Sequence, residues 1–66
     1  MKGTIVRLMS DKGYGFIKGE DGAEYFFYMS ALITHDFKDL LLNNEVEFRP
    51  ANSPKGPRAE EIEIVG

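Results

Sequence analysis

The sequence predicts an all-β fold in which five short antiparallel strands close into a small barrel. Residues 14–19 and 23–29 are rich in aromatic and β-branched residues and flank a short glycine-containing turn, as the two strands of a hairpin do. Residues 45–49 alternate polar with apolar side chains, and so do residues 61–64 within a strand expected at 58–65, with the two-residue period of a strand that has one buried face. Closure into a barrel removes sheet edges that such a short chain would otherwise have to protect.

The first predicted strand covers residues 2–9, where Thr4, Ile5, Val6 and Leu8 favour extended backbone. The next two strands are joined by Glu20-Asp21-Gly22, in which Gly22 supplies a residue able to adopt a positive φ. A hairpin symmetric about Asp21 has a defined register. On one face the predicted opposing pairs are Phe16 with Phe26, Tyr14 with Tyr28, and Lys18 with Glu24, and on the other they are Ile17 with Tyr25, and Gly15 with Phe27.

A long connection of residues 30–44 follows, with one helical turn expected at residues 30–32 and helix-tolerant residues at 36–42. The fourth strand places Val46 and Phe48 inward, and Pro50 either ends it or marks a sheet edge. Residues 51–57 are expected to form a loop because they are rich in turn-forming residues. Five strands with a long third connection predict the five-stranded barrel known as the OB-fold.

Both faces of the predicted hairpin carry large apolar side chains, although a small barrel needs only one such face for its core. The second face presents the rings of Tyr14, Phe16, Phe26 and Tyr28, and rows of exposed rings are typical of surfaces that stack unpaired nucleic-acid bases. An alternative is that the rings only pair across the strands and stabilise the hairpin.

The length of 66 residues predicts a single domain, residues 1–66. The chain has no cysteine, no apolar run long enough to span a membrane and no signal-peptide pattern after Met1, so a cytoplasmic protein is expected. The net charge is −3, but residues 1–19 carry four basic side chains against Asp11 alone, a balance of +3. Residues 20–66 carry four basic side chains against ten carboxylates, a balance of −6, so the basic excess coincides with the aromatic motif.

Several segments resemble the bacterial cold-shock domain. The run of residues 12–17, Lys-Gly-Tyr-Gly-Phe-Ile, closely matches the first RNA-binding motif of that family, and the run of residues 25–28, Tyr-Phe-Phe-Tyr, resembles the second. The opening strand, the Ser-Ala-Leu run at 30–32 and the Lys-Gly-Pro run at 55–57 also resemble family segments in the same order. The resemblance covers nearly the whole chain and implies an OB-fold that binds single-stranded RNA or DNA as a nucleic-acid chaperone.

The resemblance also implies where bases and phosphates would bind. The implied base-stacking residues are Tyr14, Phe16, Phe26, Tyr28 and Phe37, and the implied basic contacts are Lys12 and Lys55. We add Arg7, whose planar guanidinium can stack on a base, and Arg58 as further basic candidates. The chain departs from the family where Arg7-Leu8 replaces a surface Trp-Phe pair, and where Tyr28 and Met29 replace His and Phe.

The predicted function is binding of single-stranded RNA or DNA without catalysis, cofactor or metal, by a monomer. No nucleophile–base pair or cluster of metal-ligating residues can be assembled from the sequence, and no phosphate-cradling loop implies a nucleotide cofactor. No small-molecule substrate or membrane partner is expected. The alternative is a protein-binding barrel that uses the same aromatic patch as its interface.

Overall fold

The computed structural model describes residues 1–33 and 42–65, and these form a closed barrel of five strands. The strands are β1 (Lys2–Met9), β2 (Tyr14–Gly19), β3 (Glu24–Tyr28), β4 (Glu45–Ser53) and β5 (Gly56–Ile64). Their order around the barrel is β1-β2-β3-β5-β4, with β4 also paired to β1. All pairs are antiparallel except β3 with β5, so the structure confirms the all-β, OB-type barrel.

The core fills the inside of the barrel with side chains from every strand. Its buried members are each at most 7 % exposed, and they are Ile5, Ile17, Tyr25, Phe27, Val46, Phe48, Ala59 and Ile62. Leu8, Leu32 and Ile64 pack against this cluster from its rim. The inward placement predicted for Val46 and Phe48 is therefore confirmed.

The hairpin of β2 and β3 has the predicted register at every pair. Phe16 lies opposite Phe26 and Tyr14 opposite Tyr28 on the outer face, while Gly15 opposes Phe27 on the inner face. The turn has Gly22 at a φ of 87°, as predicted for its positive-φ position. The Tyr25 hydroxyl donates a hydrogen bond of 2.6 Å to Asp21 Oδ2, which ties the turn to the third strand.

The fourth and fifth strands are longer than predicted, and the expected loop at residues 51–57 is wrong. β4 continues through Pro50 to Ser53, and only Pro54 and Lys55 separate it from β5. On the side of β4 that faces β1, the paired residues are 45–47, and Phe48 N–H donates to Met1 O just beyond them. Pro50 follows on the same side, where β1 no longer accompanies β4. Its missing N–H therefore costs no hydrogen bond between these strands. The alternative that Pro50 marks a sheet edge is therefore the correct one.

Two irregular positions change which side chains face outward. The β1–β2 register shifts between Ile5 and Arg7, so Val6 and Arg7 are both exposed while Ile5 and Leu8 face the core. A second shift lies between β4 and β5 near Glu61, which has a φ of 51°. A single 3₁₀ turn at Met29–Ala31 matches the helical turn expected there, and Ile33 N–H donates to Ile62 O just beyond it.

Candidate nucleic-acid interface

Four rings form one contacting group on the outer face of the β2–β3 hairpin, which we call the aromatic face: Tyr14, Phe16, Phe26 and Tyr28. Phe26 is central, with its ring centroid 5.2 Å from that of Tyr14, 5.5 Å from Phe16 and 4.7 Å from Tyr28. Strand alternation brings these residues to one side, and the tight turn sets them opposite one another. Most ring pairs meet edge to face, a geometry that aromatic quadrupoles favour.

The aromatic face remains accessible to solvent. Tyr28 is 45 % exposed, and Tyr14, Phe16 and Phe26 are half-buried. The rings therefore gain part of their packing from one another and still offer surface to a ligand. Such an arrangement can accept a planar, uncharged group by stacking.

Arg7 borders the aromatic face on the β1 side. Its guanidinium carbon lies 5.9 Å from the Phe16 ring centroid, and Arg7 is paired with Phe16 in the sheet register. The β-bulge after Ile5 produces this position, because strict alternation would turn Arg7 inward with Ile5. Arg7 forms no ion pair with a carboxylate of the described residues, so the described part of the chain leaves its charge available to a phosphate.

The β4–β5 hairpin borders the aromatic face on the opposite side and creates a cleft. The cleft has a volume of about 620 Å³ and is lined by Phe16, Phe26, Tyr28, Ser53, Pro54, Lys55, Pro57 and Arg58. Lys55 occupies the two-residue turn, and Ser53 Oγ holds that turn by donating a 2.8 Å hydrogen bond to Gly56 O. The cleft thus combines aromatic surface with two cations and contains no carboxylate among its described lining residues.

Arg58 lies over the Tyr28 ring, with its guanidinium carbon 5.3 Å from the ring centroid. Its Nε is buried without a hydrogen-bond partner among the described residues, and the nearest carboxylate oxygen of Glu60 is 3.9 Å away. Glu60 instead bonds Arg49 at 2.9 Å, and Arg49 also lies 3.4 Å from Glu61. Arg49 therefore forms ion pairs with both Glu60 and Glu61, the carboxylates that follow Arg58 in β5.

Two sequence-predicted residues are not part of this arrangement. Lys12 is exposed in the turn before β2, where its backbone N–H donates to Met9 O, and it does not line the cleft. Phe37 lies outside the described residues. The remaining basic candidates, Arg7, Lys55 and Arg58, lie on the two sides of the aromatic face.

Several carboxylates lie away from the cleft, where the first residues of β4 pair with the last residues of β5. Glu47 and Glu63 are exposed and directly opposite each other, and Glu61 is exposed nearby. Like charges in this position repel a polyanion. The barrel therefore presents a cationic aromatic side and an acidic side.

Sequence reasoning missed Ser53, Pro54 and Pro57 as lining residues of the cleft. The sequence predicts a loop for these residues, whereas the long β4–β5 hairpin brings them beside Phe26. The parallel pairing of Phe26 with Arg58 joins residues distant in sequence, and no local pattern signals it. The sequence feature that indicates this side of the cleft is the Lys-Gly-Pro run at residues 55–57, from which Lys55 is predicted as a basic contact.

Comparisons with known proteins match nearly the whole chain. The sequence profile of the "'Cold-shock' DNA-binding domain" family matches residues 1–65. "Cold shock protein 1" of Lactiplantibacillus plantarum is 43 % identical over 60 residues, covering 91 % of each chain. "Cold shock-like protein CspI" of Escherichia coli is 43 % identical over 63 residues, covering 94 % of this chain and 90 % of the relative. "Cold shock-like protein" of Aquifex aeolicus is 38 % identical over 66 residues, covering 98 % of this chain and 94 % of the relative.

The matching family is one of nucleic-acid-binding proteins and not of enzymes. Among residues 1–33 and 42–65, no helix is long and apolar enough to cross a membrane. Within the same residues, no group of three or more His, Asp or Glu side chains is placed to hold a metal ion.

Proposed function

The chain belongs to the cold-shock domain family of nucleic-acid-binding proteins, and we propose that it binds single-stranded RNA or DNA by stacking bases on the aromatic face. The observation that supports this proposal most strongly is that four rings contact one another and have a cationic side chain on each side. Tyr14, Phe16, Phe26 and Tyr28 would supply the stacking surface. Each stacked base contributes about 1–3 kcal/mol in comparable proteins.

Phosphates would be held by the cations that surround the rings. Arg7 and Lys55 lie on opposite sides of the aromatic face, so a strand crossing the rings can meet both. Lys12 is a further candidate in the exposed turn before β2, and Phe37 is a further candidate for stacking. The departures from the family pattern change the β1 side of this surface, where Arg7 would offer a guanidinium plane in place of an indole.

Bound bases cannot pair with a complementary strand, so binding itself keeps strands open. A protein that binds only the open form shifts the equilibrium between paired and unpaired strands by mass action. No nucleotide hydrolysis is required for this effect. We therefore propose a passive nucleic-acid chaperone, with residues 1–66 acting as one binding domain.

The absence of cysteine fits a reducing compartment, and we propose that the protein acts in the cytoplasm. A closed barrel leaves few free strand edges for pairing with a second copy, so we also propose a monomer. Size-exclusion chromatography with light scattering at several protein concentrations tests the monomer, which predicts one mass at all of them.

Binding is tested by fluorescence anisotropy with labelled heptamers of thymidine and of uridine at several salt concentrations. With two or three phosphates neutralised, log affinity should fall with log salt at a slope of about −1.4 to −2.1. A blunt-ended duplex of mixed sequence should bind much more weakly, because its bases are already stacked. Lys55→Ala should make the slope shallower by about 0.7, whereas Lys2→Ala, which lies outside the cleft, should not.

Absence of saturable binding to either heptamer at low salt would contradict the proposal. Equal binding to single strands and duplex would contradict the stacking mechanism. The alternative of a protein-binding barrel predicts no oligonucleotide binding and an interface that responds little to salt.

A further inference from the structure

The cleft beside Phe26 is unusual in its hydrogen-bonding groups. Its charged lining residues, Lys55 and Arg58, can only donate hydrogen bonds, and the Ser53 hydroxyl proton is already given to Gly56 O. No carboxylate or carboxamide side chain is among the described lining residues. The Tyr28 hydroxyl can donate or accept and Ser53 Oγ can still accept, but the two cations favour a ligand edge that carries acceptors.

Arg58 is held in place, and its donors have no hydrogen-bond partner in the part of the chain that the structure describes. The Tyr28 ring supports the guanidinium from one side, at 5.3 Å from the ring centroid. The described residues accept no hydrogen bond from it, and Glu60 is 3.9 Å away and already bound to Arg49 at 2.9 Å. A supported and incompletely paired guanidinium is suited to recognise a flat group with two adjacent acceptors.

The sheet register sets Arg58 next to the stacking surface. Phe26 and Arg58 are directly paired across the parallel contact of β3 with β5. A base that stacks on Phe26 lies flat on the ring and turns one of its edges toward the β4–β5 hairpin. On the edge that faces the major groove of a duplex, guanine alone among the common bases presents two adjacent acceptors, O6 and N7, which match the arginine fork.

Building on the proposed function, we propose that the cleft is a guanine-preferring subsite and that Arg58 is the residue that determines this preference. Adenine places an amino group beside N7, and cytosine places one on the corresponding edge, so each opposes a donor to the guanidinium. Thymine and uracil offer a single carbonyl there and accept one hydrogen bond instead of two. The preference is carried by one subsite, and the other stacked bases remain unselected.

The test compares heptamers that differ at one central nucleotide. Four labelled strands carry dG, dA, dC or dT at the centre of six thymidines, and their affinities are measured by anisotropy at one salt concentration. The dG strand should bind at least about fivefold more tightly than the dA strand, the lower limit for one bidentate arginine–guanine contact. A fifth strand with 7-deazaguanine keeps O6 and lacks N7, so it should lose most of this advantage.

Arg58→Ala should weaken binding of all the strands and remove the difference between dG and dA. Lys2→Ala is the matched control, since it removes one positive charge away from the cleft and should preserve the difference. Circular dichroism of each variant checks that the barrel is folded.

The outcomes separate the two proposals. If none of the strands binds, the proposed single-strand binding is wrong, and the proposed guanine subsite is wrong as well. If all strands bind wild-type protein with equal affinity, single-strand binding stands and the guanine subsite is wrong. A dG preference that survives in Arg58→Ala, or that 7-deazaguanine retains in full, contradicts recognition by Arg58.

Discussion

The two faces of the β2–β3 hairpin carry similar aromatic residues and differ in how deeply these are buried. On the inner face Phe27 is fully buried, at 0 % exposure, and packs in a closed core with Ile17 and Tyr25. On the outer face Phe26, one residue earlier, is half-buried and shares its contacts with three other exposed or half-exposed rings. Adjacent phenylalanines thus serve stability on one side and, as we propose, ligand binding on the other.

The comparison shows that residue type alone does not separate core from interface in a short strand. Position along the two-residue period decides which side a ring occupies, and the register decides which rings meet. Gly15 shows how packing on the inner face depends on the residue between two rings of the outer face. It lies between Tyr14 and Phe16 in sequence, and its lack of a side chain allows Phe27 to approach β2 from inside.

The largest expected effect is on the inner face. Phe27→Ala removes a fully buried ring, and comparable substitutions cost about 3–5 kcal/mol of folding free energy. Since a domain this small has a limited core, we expect thermal unfolding near or below room temperature. Circular dichroism melting measures this. A variant with a melting temperature close to wild type would contradict the assignment of Phe27 to the core.

A smaller loss of stability is expected from Gly15→Ala. A Cβ at this position would lie 2.6 Å from Arg7 O and 2.9 Å from Phe27 Cζ, and the backbone oxygen cannot move freely. Overpacking of this kind typically costs about 1–3 kcal/mol. Urea denaturation of the variant and wild type measures the difference. Unchanged stability would show that β1 and Phe27 do not approach Gly15 as closely as described.

Phe26→Ala should affect binding more than folding. Loss of one stacking ring should weaken binding of a thymidine heptamer by about 1–3 kcal/mol, which is about fivefold to more than a hundredfold. The barrel should still fold, because the ring is only half-buried and contacts its neighbours on the outer face. Anisotropy and circular dichroism on the same sample measure the two effects. A folded variant with wild-type affinity would support the alternative that the outer rings only stabilise the hairpin.

The smallest effect concerns the turn at the end of the hairpin. The Tyr25 hydroxyl bond, followed by the Ala23 N–H bond, lowers the pKa of Asp21 from its ordinary value of 3.8, and the same contact with Asp21 raises the pKa of Tyr25. Because the folded state favours the ionised carboxylate, this stabilisation is complete above the unfolded pKa and is lost as pH falls through the lower folded pKa. The melting temperature of wild type should therefore approach that of Tyr25→Phe in acid.

Melting curves from about pH 6 down to about pH 2 test this convergence. The gap between wild type and Tyr25→Phe should stay constant above about pH 5 and narrow below the unfolded pKa of Asp21. A gap that persists unchanged at the acid end would mean that the variant loses packing and not the carboxylate contact. Asp21→Asn is the matched control, since it should flatten the same acid dependence.

The sequence predicted the hairpin because its register depends on local features alone. A short turn with Gly22 fixes the pairing, and strand alternation then assigns Phe16 and Phe26 to one face. The extension of β4 through Pro50 was not predictable in this way, since it depends on where β1 begins. The outward turn of Arg7 depends on a β-bulge, and the place of Arg58 depends on a parallel pairing of distant strands. These features are set by closure of the barrel and not by any single segment.

The central claim is that the outer face of the hairpin, and not another part of the barrel, binds single strands. The most direct measurement is a nuclear magnetic resonance titration of isotope-labelled protein with a thymidine heptamer, following backbone amides and aromatic ring signals. We predict the largest shifts at Tyr14, Phe16, Phe26 and Tyr28, with further shifts at Lys55 and Arg58 and little change at Glu47 and Glu63. Shifts centred on the acidic side, with the rings of the aromatic face unperturbed at saturation, would contradict the account.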